Sequence, residues 1–563
     1  MLSIAFNPGF ALLLAIPLTL MAPRAFRPAV IAAAAAAAVA LLLTPPFGGH
    51  GSFAQIGLEV VPLRLDALAQ TFGLAFLFGA AIVGLSTHER VHPLEDGAIL
   101  AMAGGATSAL FAGDLVSFVA GVETAGLAGA WIIFSSPAPG ALAAGGRYLL
   151  WQWLGGLFLL SGVAFHLADG FGSAFGPLPA DSAGGALFLI GLAFKAGAPL
   201  LHLWLRDASP MATPHGGAAL AMFGAPLAIY GLARGFAGEP TLIYAGLTMA
   251  GAFALWALAE DDLRRALTRS QAAQLGLCAA AIGVGTPTAF AAAVAHAFTV
   301  ILGYGLMMLA VGAAAEAYGS ARASGARGVA RAMPLTALLY FFGAASAAAL
   351  PGFAGYVSGV ALLAGFAPVW AKIVVLATLA LTAALTLARI PFPYFIARNA
   401  PSPAPENTQG ARLGMALAAF FCLAIGTIPG WLYAMVPPAP LAVEAYAGER
   451  VTMALQLIGG ACAVWAAAMA LRPIGAVRAY DLMDLDRLYA GPAAAAVAWI
   501  GAQILRAFAA AGGLAGRGLG VAGAWLLALA QRRDRPHGRG AWGAAWTPLA
   551  LVAAAALSLL AVR

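Results

Sequence analysis

The chain has 563 residues, 62% of them hydrophobic and 9% charged, where an ordinary soluble domain carries roughly 25% charged residues. With a mean hydropathy of +0.90 it reads as an all-α polytopic membrane protein, and no stretch has the mixed polar composition of a separate soluble domain. A net charge of +7 would suit nucleic-acid binding in a soluble protein, but here the Arg residues fall in short loops between apolar runs, where the positive-inside rule accounts for them.

In chain order, the N-terminal run has no basic residue before its apolar stretch, and Arg24 and Arg27 follow it. That is the reverse of a cleavable leader and predicts a first transmembrane helix with its N-terminus outside. Crossing roughly 30 Å of hydrocarbon takes about 20 residues. On that ruler the sequence holds about 15 spans up to Leu471, in a total of about 14–16, centred near residues 15, 36, 77, 104, 125, 158, 194, 225, 250, 275, 300, 342, 380, 424 and 461. Loops after odd-numbered spans carry most of the basic residues, among them Arg24, Arg27, Arg90, Arg147, Arg206, the cluster Arg264 to Arg269, Arg322 and Arg389. Loops after even-numbered spans hold little beyond Arg64, Arg234 and Arg450, which places the Arg-rich loops in the cytoplasm. After Arg478 the chain turns Ala/Gly-rich. Either Ala493 to Ala530 lies along the cytoplasmic membrane face as a lateral amphipathic helix, or it forms a hairpin of two extra spans; Gln503, Arg506 and Arg517 share one helical face and favour the first reading. A final span is expected near Ala544 to Val562. The cysteines Cys278, Cys422 and Cys462 lie far apart in apolar runs, with neither metal-ligand spacing nor a disulfide framework.

Four polar patches interrupt this apolar background. Glu123 sits alone in the fifth span, where burial favours the protonated form or a bonded partner. Lys195 lies inside the apolar run Gly185 to Leu205. An ammonium at bilayer depth costs a few kcal/mol, so a partner and an ion-pathway role are expected. Burial disfavours the ammonium and a nearby carboxylate favours it, so Glu123 facing Lys195 would form a bistable proton switch or, equally, a static ion pair between two helices. Next, Pro199, Pro210 and Pro214 with Gly216 and Gly217 predict a broken helix, of the kind that lines hydrated cavities in carriers. His202, Asp207 and His215 in the same stretch are candidate relays or structural hydrogen-bonders. Finally, Glu260 to Arg269 reads as a cytoplasmic loop, while Ser270, Gln271 and Gln274 carry polar character into the membrane and His296 lies well inside the eleventh span.

In this order the patches resemble the proton-conducting antiporter-like membrane subunits of respiratory complex I and the multi-subunit Mrp cation/proton antiporters. The match rests on Lys195 with the following PLLHLWLRDASPMATP, on DDLRRALTRSQAAQLG from Asp261 to Gly276, and on Glu123, and it covers roughly residues 60 to 435. The resemblance implies two inverted five-helix repeats with broken helices, over 96–236 and 237–395, flanked by 1–95 and 396–478, with a lateral helix and last span over 479–563. It also implies Glu123, Lys195, His202 and His296 as ion-translocating residues, a second break at Pro351, and Ser270 and Gln274 as relays. The family's other charged positions are replaced. Leu220 and Pro226 stand on the helix after the first break, Tyr304 stands near a usual lysine, and Gly359 follows the second break where a lysine or glutamate is usual. The second repeat thus lacks its central charge. The function implied is that of a membrane subunit of a proton and monovalent-cation translocating complex, most like the D-type membrane component of an Mrp antiporter. A pumping subunit of a complex-I-like oxidoreductase or membrane hydrogenase, and a non-conducting scaffold, are the alternatives. Expected partners are other membrane subunits, the lipid bilayer, protons and Na+ or K+. No metal, cofactor or nucleic acid is expected, and no catalytic site lies in the chain. A bacterial inner membrane with a periplasmic N-terminus is the expected setting.

Overall fold

The computed structural model describes residues 6–55, 57–86, 93–323, 328–396, 406–438 and 441–471. Helices α1 Pro8–Met21 and α2 Arg27–Leu43 lead to a nested pair of hairpins. There β1 Gly48–His50 pairs with β4 Leu63–Leu65 around β2 Phe53–Gln55 and β3 Leu58–Val60, all antiparallel. Hydropathy predicts no element in this loop. Asp114 anchors it, accepting the Val61 N–H at 2.8 Å while also capping the next transmembrane helix at Ser117 N.

Beyond α3 Ala67–Ser86 come two runs of five spans. The first comprises α4 Pro93–Leu110, α5 Leu115–Phe134, α6 Ala141–Ala168, the pair α7 Ala183–Ala196 and α8 Leu203–Met211, and the pair α9 Pro214–Phe223 and α10 Ala225–Gly235. The second comprises α11 Thr241–Ala259, α12 Leu263–Val284, α13 Pro287–Tyr318, the pair α15 Pro334–Ala347 and α16 Ala354–Gly365 after a short α14 Val329–Ala332, and α17 Val369–Ala383. The fourth span is broken in each, and an odd number of spans inverts the second run relative to the first. Helix α17 continues as π-helical turns, Ala384–Arg389 and Pro391–Ile396. Helices α18 Gln409–Thr427, α19 Pro429–Met435 and α20 Gly448–Leu471 complete the described chain. Among the described residues nine helices are long and apolar enough to cross a membrane. Each of the predicted span centres up to Leu471 falls on a helix; those near 104 and 275 fall on α4 and α12, which are long enough but more polar than the nine. The lateral segment Ala493 to Ala530 and the span near Ala544 to Val562 lie outside the described residues.

Without water to drive apolar surfaces together inside a bilayer, helices associate where small residues let backbones approach. A Cβ on Gly246 of α11 would sit 2.5 Å from the Gly276 carbonyl oxygen of α12. The same crowding joins Gly162 of α6 to Gly184 of α7, and Gly121 of α5 to Gly105 of α4. Helix α13 runs through the middle, with its spanning window entirely buried, whereas none of the α20 window is.

One expectation is corrected. The stretch Leu263 to Arg269 is not a loop but the opening turns of α12, because the Asp262 carboxylate accepts the N–H groups of Arg264 and Arg265 and so caps the helix.

At one end of the first repeat, Asp66 takes a two-pronged contact from Arg234 at 2.7 and 2.8 Å, and Arg234 Nε donates to the Tyr230 hydroxyl at 2.8 Å. Burial alone would raise the Asp66 carboxyl, but hydrogen bonding and charge from Arg234 more than offset it and hold the group below its usual range. Its side chain is 31% exposed, between the surface and buried limits, so Asp66→Asn is expected to cost about 1–3 kcal/mol. The contribution of a lowered carboxyl is present above its unfolded value near pH 4 and disappears as pH falls through the folded value. Melting curves of the wild type and Asp66→Asn should therefore differ at pH 7 and converge in acid.

Candidate ion-translocation site

Helix α7 stops one residue after Lys195, where Gly197 takes a left-handed φ of 72°. Lys195 therefore occupies the last turn, where the exposed carbonyl end of a helix favours a cation. Its Nζ donates to Glu123 Oε1 of α5 at 2.7 Å and to the Gln152 carbonyl oxygen of α6 at 2.9 Å. Lys195 is 5% exposed and Glu123 23%. The sequence expectation of a Glu123–Lys195 pair is thus a direct contact joining three helices. Glycines provide the room: a Cβ on Gly156 would lie 2.6 Å from the Glu123 carboxylate, and one on Gly155 3.2 Å from Lys195 Cε. Beside the pair is a cavity of about 20 Å³ lined by Lys195, Gln152, Tyr148, Gly126 and apolar side chains including Leu227 and Ala228 of α10. It has space for roughly one water. The α10 wall carries no charge, in line with the apolar helix read after the break.

The break itself runs from Gly197 to His202 and contains Pro199 and Leu200, the latter at a left-handed φ of 71°. Pro210 lies inside the last turn of α8 instead of in a break, and Pro214 is the first residue of α9, which Thr213 caps. His202, at the head of α8, packs its ring against Phe253 and Trp256 of α11 at 4.9 and 5.3 Å, and its Nδ1 has no hydrogen-bond partner. His215 of α9 is buried and lines a different cavity, of about 60 Å³, with Glu316, Ser86 and Asn407. Asp207 is on α8; its side chain lies outside what is described.

Two groups that sequence reasoning missed hold the joint between α8 and α9. Glu95, at the start of α4, accepts the Thr213 hydroxyl. Arg264 of α12 donates to the carbonyl oxygens of Ser209, Ala212 and Thr213, those of Ala212 and Thr213 at 2.7 and 3.3 Å. Glu95 follows a span boundary and Arg264 sits in a charged run, so both read as surface residues.

The second repeat brings His296 and Gln274 together in a neutral network. His296 Nε2 meets Gln274 Oε1 at 2.9 Å and its Nδ1 meets the Ser358 hydroxyl at 2.9 Å. Gln274 Nε2 donates to Thr382 Oγ1 at 2.8 Å, and Ser358 also bonds Thr299 at 2.8 Å. Ser270 bonds Tyr304 at 2.6 Å, and the Tyr304 hydroxyl also interacts with Thr382. Pro351 lies in the second break, Ala348 to Phe353, where Ala349 and Gly352 take left-handed φ values of 56° and 94°. Gly359 follows Ser358 on α16, so the position of the family's usual charge is next to the hydroxyl that bonds His296.

A membrane bundle of two inverted repeats with a buried Glu–Lys pair beside a helix break defines an antiporter-like subunit. A family model described as NADH:quinone oxidoreductase/Mrp antiporter, transmembrane, matches residues 112–386, the stretch holding Glu123, Lys195, both breaks and His296. Over this segment the chain matches that family's model, and it is a multi-pass membrane protein. An uncharacterized protein of Mycobacterium tuberculosis is 28% identical over 336 residues, 54% of this chain and 52% of that one, so the chain spans about half the length of that relative. NADH-quinone oxidoreductase subunit N of Cereibacter sphaeroides is 34% identical over 314 residues, 51% of this chain and 66% of that protein. In the structure of the Mrp complex from Dietzia sp. DQ12-45-1b, one chain superposes with a TM-score of 0.68 at 23% identity, covering 99% of this chain and 63% of that one; this is a likeness of fold.

The glycines around the pair give a discriminating measurement. A Cβ on Gly126 meets nothing closer than 3.5 Å, so Gly126→Ala should gain up to about 1 kcal/mol of helix propensity. Gly156→Ala drives its methyl into the Glu123 carboxylate and should lower the melting temperature instead.

Proposed function

We propose that the chain is a membrane subunit of a multi-subunit complex that translocates protons and monovalent cations, most like the D-type membrane component of an Mrp antiporter. The single observation that carries this reading is the ion pair of Lys195 with Glu123 at a helix break, beside a water-sized cavity. While Glu123 faces Lys195, the ammonium is compensated. If Glu123 swings away, Lys195 is left with one carbonyl in an apolar surround, and its proton is released to whatever base or water reaches it. Return of the carboxylate reloads it. The pair is thus a two-state proton carrier, with the cavity as the exchange point. His202, lying in the same broken span, is the candidate next group. Protons and Na+ or K+ are the expected cargo, other membrane subunits the partners, and a bacterial inner membrane the setting, with the Arg-rich loops in the cytoplasm and the N-terminus in the periplasm.

A second reading draws on the 34% identity to a protein named as an NADH-quinone oxidoreductase subunit. In it the same pair is driven by redox chemistry in neighbouring chains. Co-purification separates the two: small antiporter subunits favour the first, and iron–sulfur or flavin subunits the second.

The switch is tested by proton flux in vesicles holding the intact complex. Glu123→Gln and Lys195→Ala should each cut flux by about a hundredfold or more, the scale of losing a proton-transfer group. Unchanged flux in both, with the complex still assembled, would sink the proposal.

A further inference from the structure

The buried network of the second repeat has the look of a wire, and one member decides whether it is one. At one end the Tyr340 hydroxyl donates to the Thr386 carbonyl, and Thr386 bonds the Thr382 carbonyl. The Thr382 hydroxyl, a different atom from that carbonyl, is reached by the Tyr304 hydroxyl, which in turn bonds Ser270. From Thr382 the route to His296 passes through Gln274, and beyond His296 come Ser358 and Thr299. His296 is 3% exposed and Gln274 1%, and the ring's two partners are Ser358 and Gln274.

A hydroxyl accepts a proton on the atom from which it donates one, and an imidazole accepts on one nitrogen and donates from the other. A carboxamide has a fixed acceptor and fixed donors. To pass a proton from His296 to Thr382, Gln274 would have to be protonated on the oxygen that faces His296 and deprotonated on the nitrogen that faces Thr382, becoming an imidic acid, and the reverse direction would require the amide nitrogen to accept a proton. Rotating the amide by 180° exchanges its oxygen and nitrogen but leaves the same obstacle, so the conclusion does not depend on which way it is assigned. At 2.8 and 2.9 Å on its two sides, no water fits between Gln274 and either neighbour.

We infer that Gln274 is a proton insulator that closes the second repeat to proton transfer, leaving His296, Ser358, Thr299 and Thr382 as a static clasp between α12, α13, α16 and α17. Satisfied buried networks of this kind fix helix geometry. The inference rests on the reading of the chain as a proton-handling subunit, and it places that activity in the first repeat alone.

The test uses the intact complex in vesicles and two readouts. The first needs no variant: with ¹⁵N-labelled histidine, the His296 ring should hold one protonated and one bare nitrogen before and after a proton gradient is imposed. A change of protonation or tautomer under the gradient would overturn the inference. The second is flux. Gln274→Met should stay within about twofold of wild type, whereas losing a working relay group would cost about a hundredfold; that larger loss in an assembled complex would also overturn it. Gln274→Glu places a titratable carboxylate at the same spot and should create a flux in the Lys195→Ala background that Lys195→Ala alone lacks. Lys195→Ala with unchanged flux would refute the first-repeat switch, while the His296 spectrum and Gln274→Met still decide on the insulator.

Discussion

The contact of Lys195 with Glu123 sets terms that the surrounding helices have to meet. An ammonium at bilayer depth is tolerated only with compensation, and here that compensation comes from two other helices, the α5 carboxylate and an α6 backbone carbonyl. Both must stand within hydrogen-bond distance of one nitrogen. That demand accounts for the glycines at 155 and 156, which bring α6 near enough to the Glu123 carboxylate and the Lys195 side chain for a short lysine reach. It also accounts for the position of the break, since ending α7 at Gly197 turns the helix's own carbonyl end toward the charge. The charge, the glycines and the break are one solution to a single electrostatic problem.

The second repeat solves a different problem with the same architecture. It keeps the broken fourth span and the left-handed residues that make the break, but it places hydroxyls, an amide and an imidazole where a charge pair would stand. Neutral groups need partners only for their lone pairs and protons, and the network supplies them internally. The outcome is a half that is well connected and carries no formal charge at its centre.

Much of this was legible in the sequence because a charge in an apolar run is a rare event with few explanations. Lys195, Glu123 and the proline-rich stretch after them were visible for that reason, and the spans followed from length alone. What stayed hidden follows from two physical facts. Ser and Thr in transmembrane helices usually bond their own preceding turn, as Thr378 does with Val374, so nothing in the sequence singles out Thr382, Thr299 or Ser358 as members of an interhelical network. Charges at span ends normally face water, so Glu95 and Arg264 looked like surface residues until the fold carried them inward. Asp262 was the readable clue to Arg264, since a capping aspartate before an apolar-periodic stretch marks a helix start, not a loop. The nested hairpins between α2 and α3 have strands of only three residues each, too short for an alternation to register.

The guanidinium of Arg264 has a mechanical consequence. It belongs to the second repeat, yet the three carbonyls it satisfies close the end of α8 and its turn into α9 in the first. The Thr213 oxygen also accepts the Gly217 N–H at 2.8 Å, so those of Ser209 and Ala212 depend more on the guanidinium, and one left without a donor costs about 1–3 kcal/mol. The angle between α8 and α9 is therefore not free: opening it pulls on the first turn of α12 or leaves that debt unsettled. The two repeats share a pivot, so a displacement starting at the lysine end of the broken span arrives in the neighbouring half as leverage on the helix that holds Gln274.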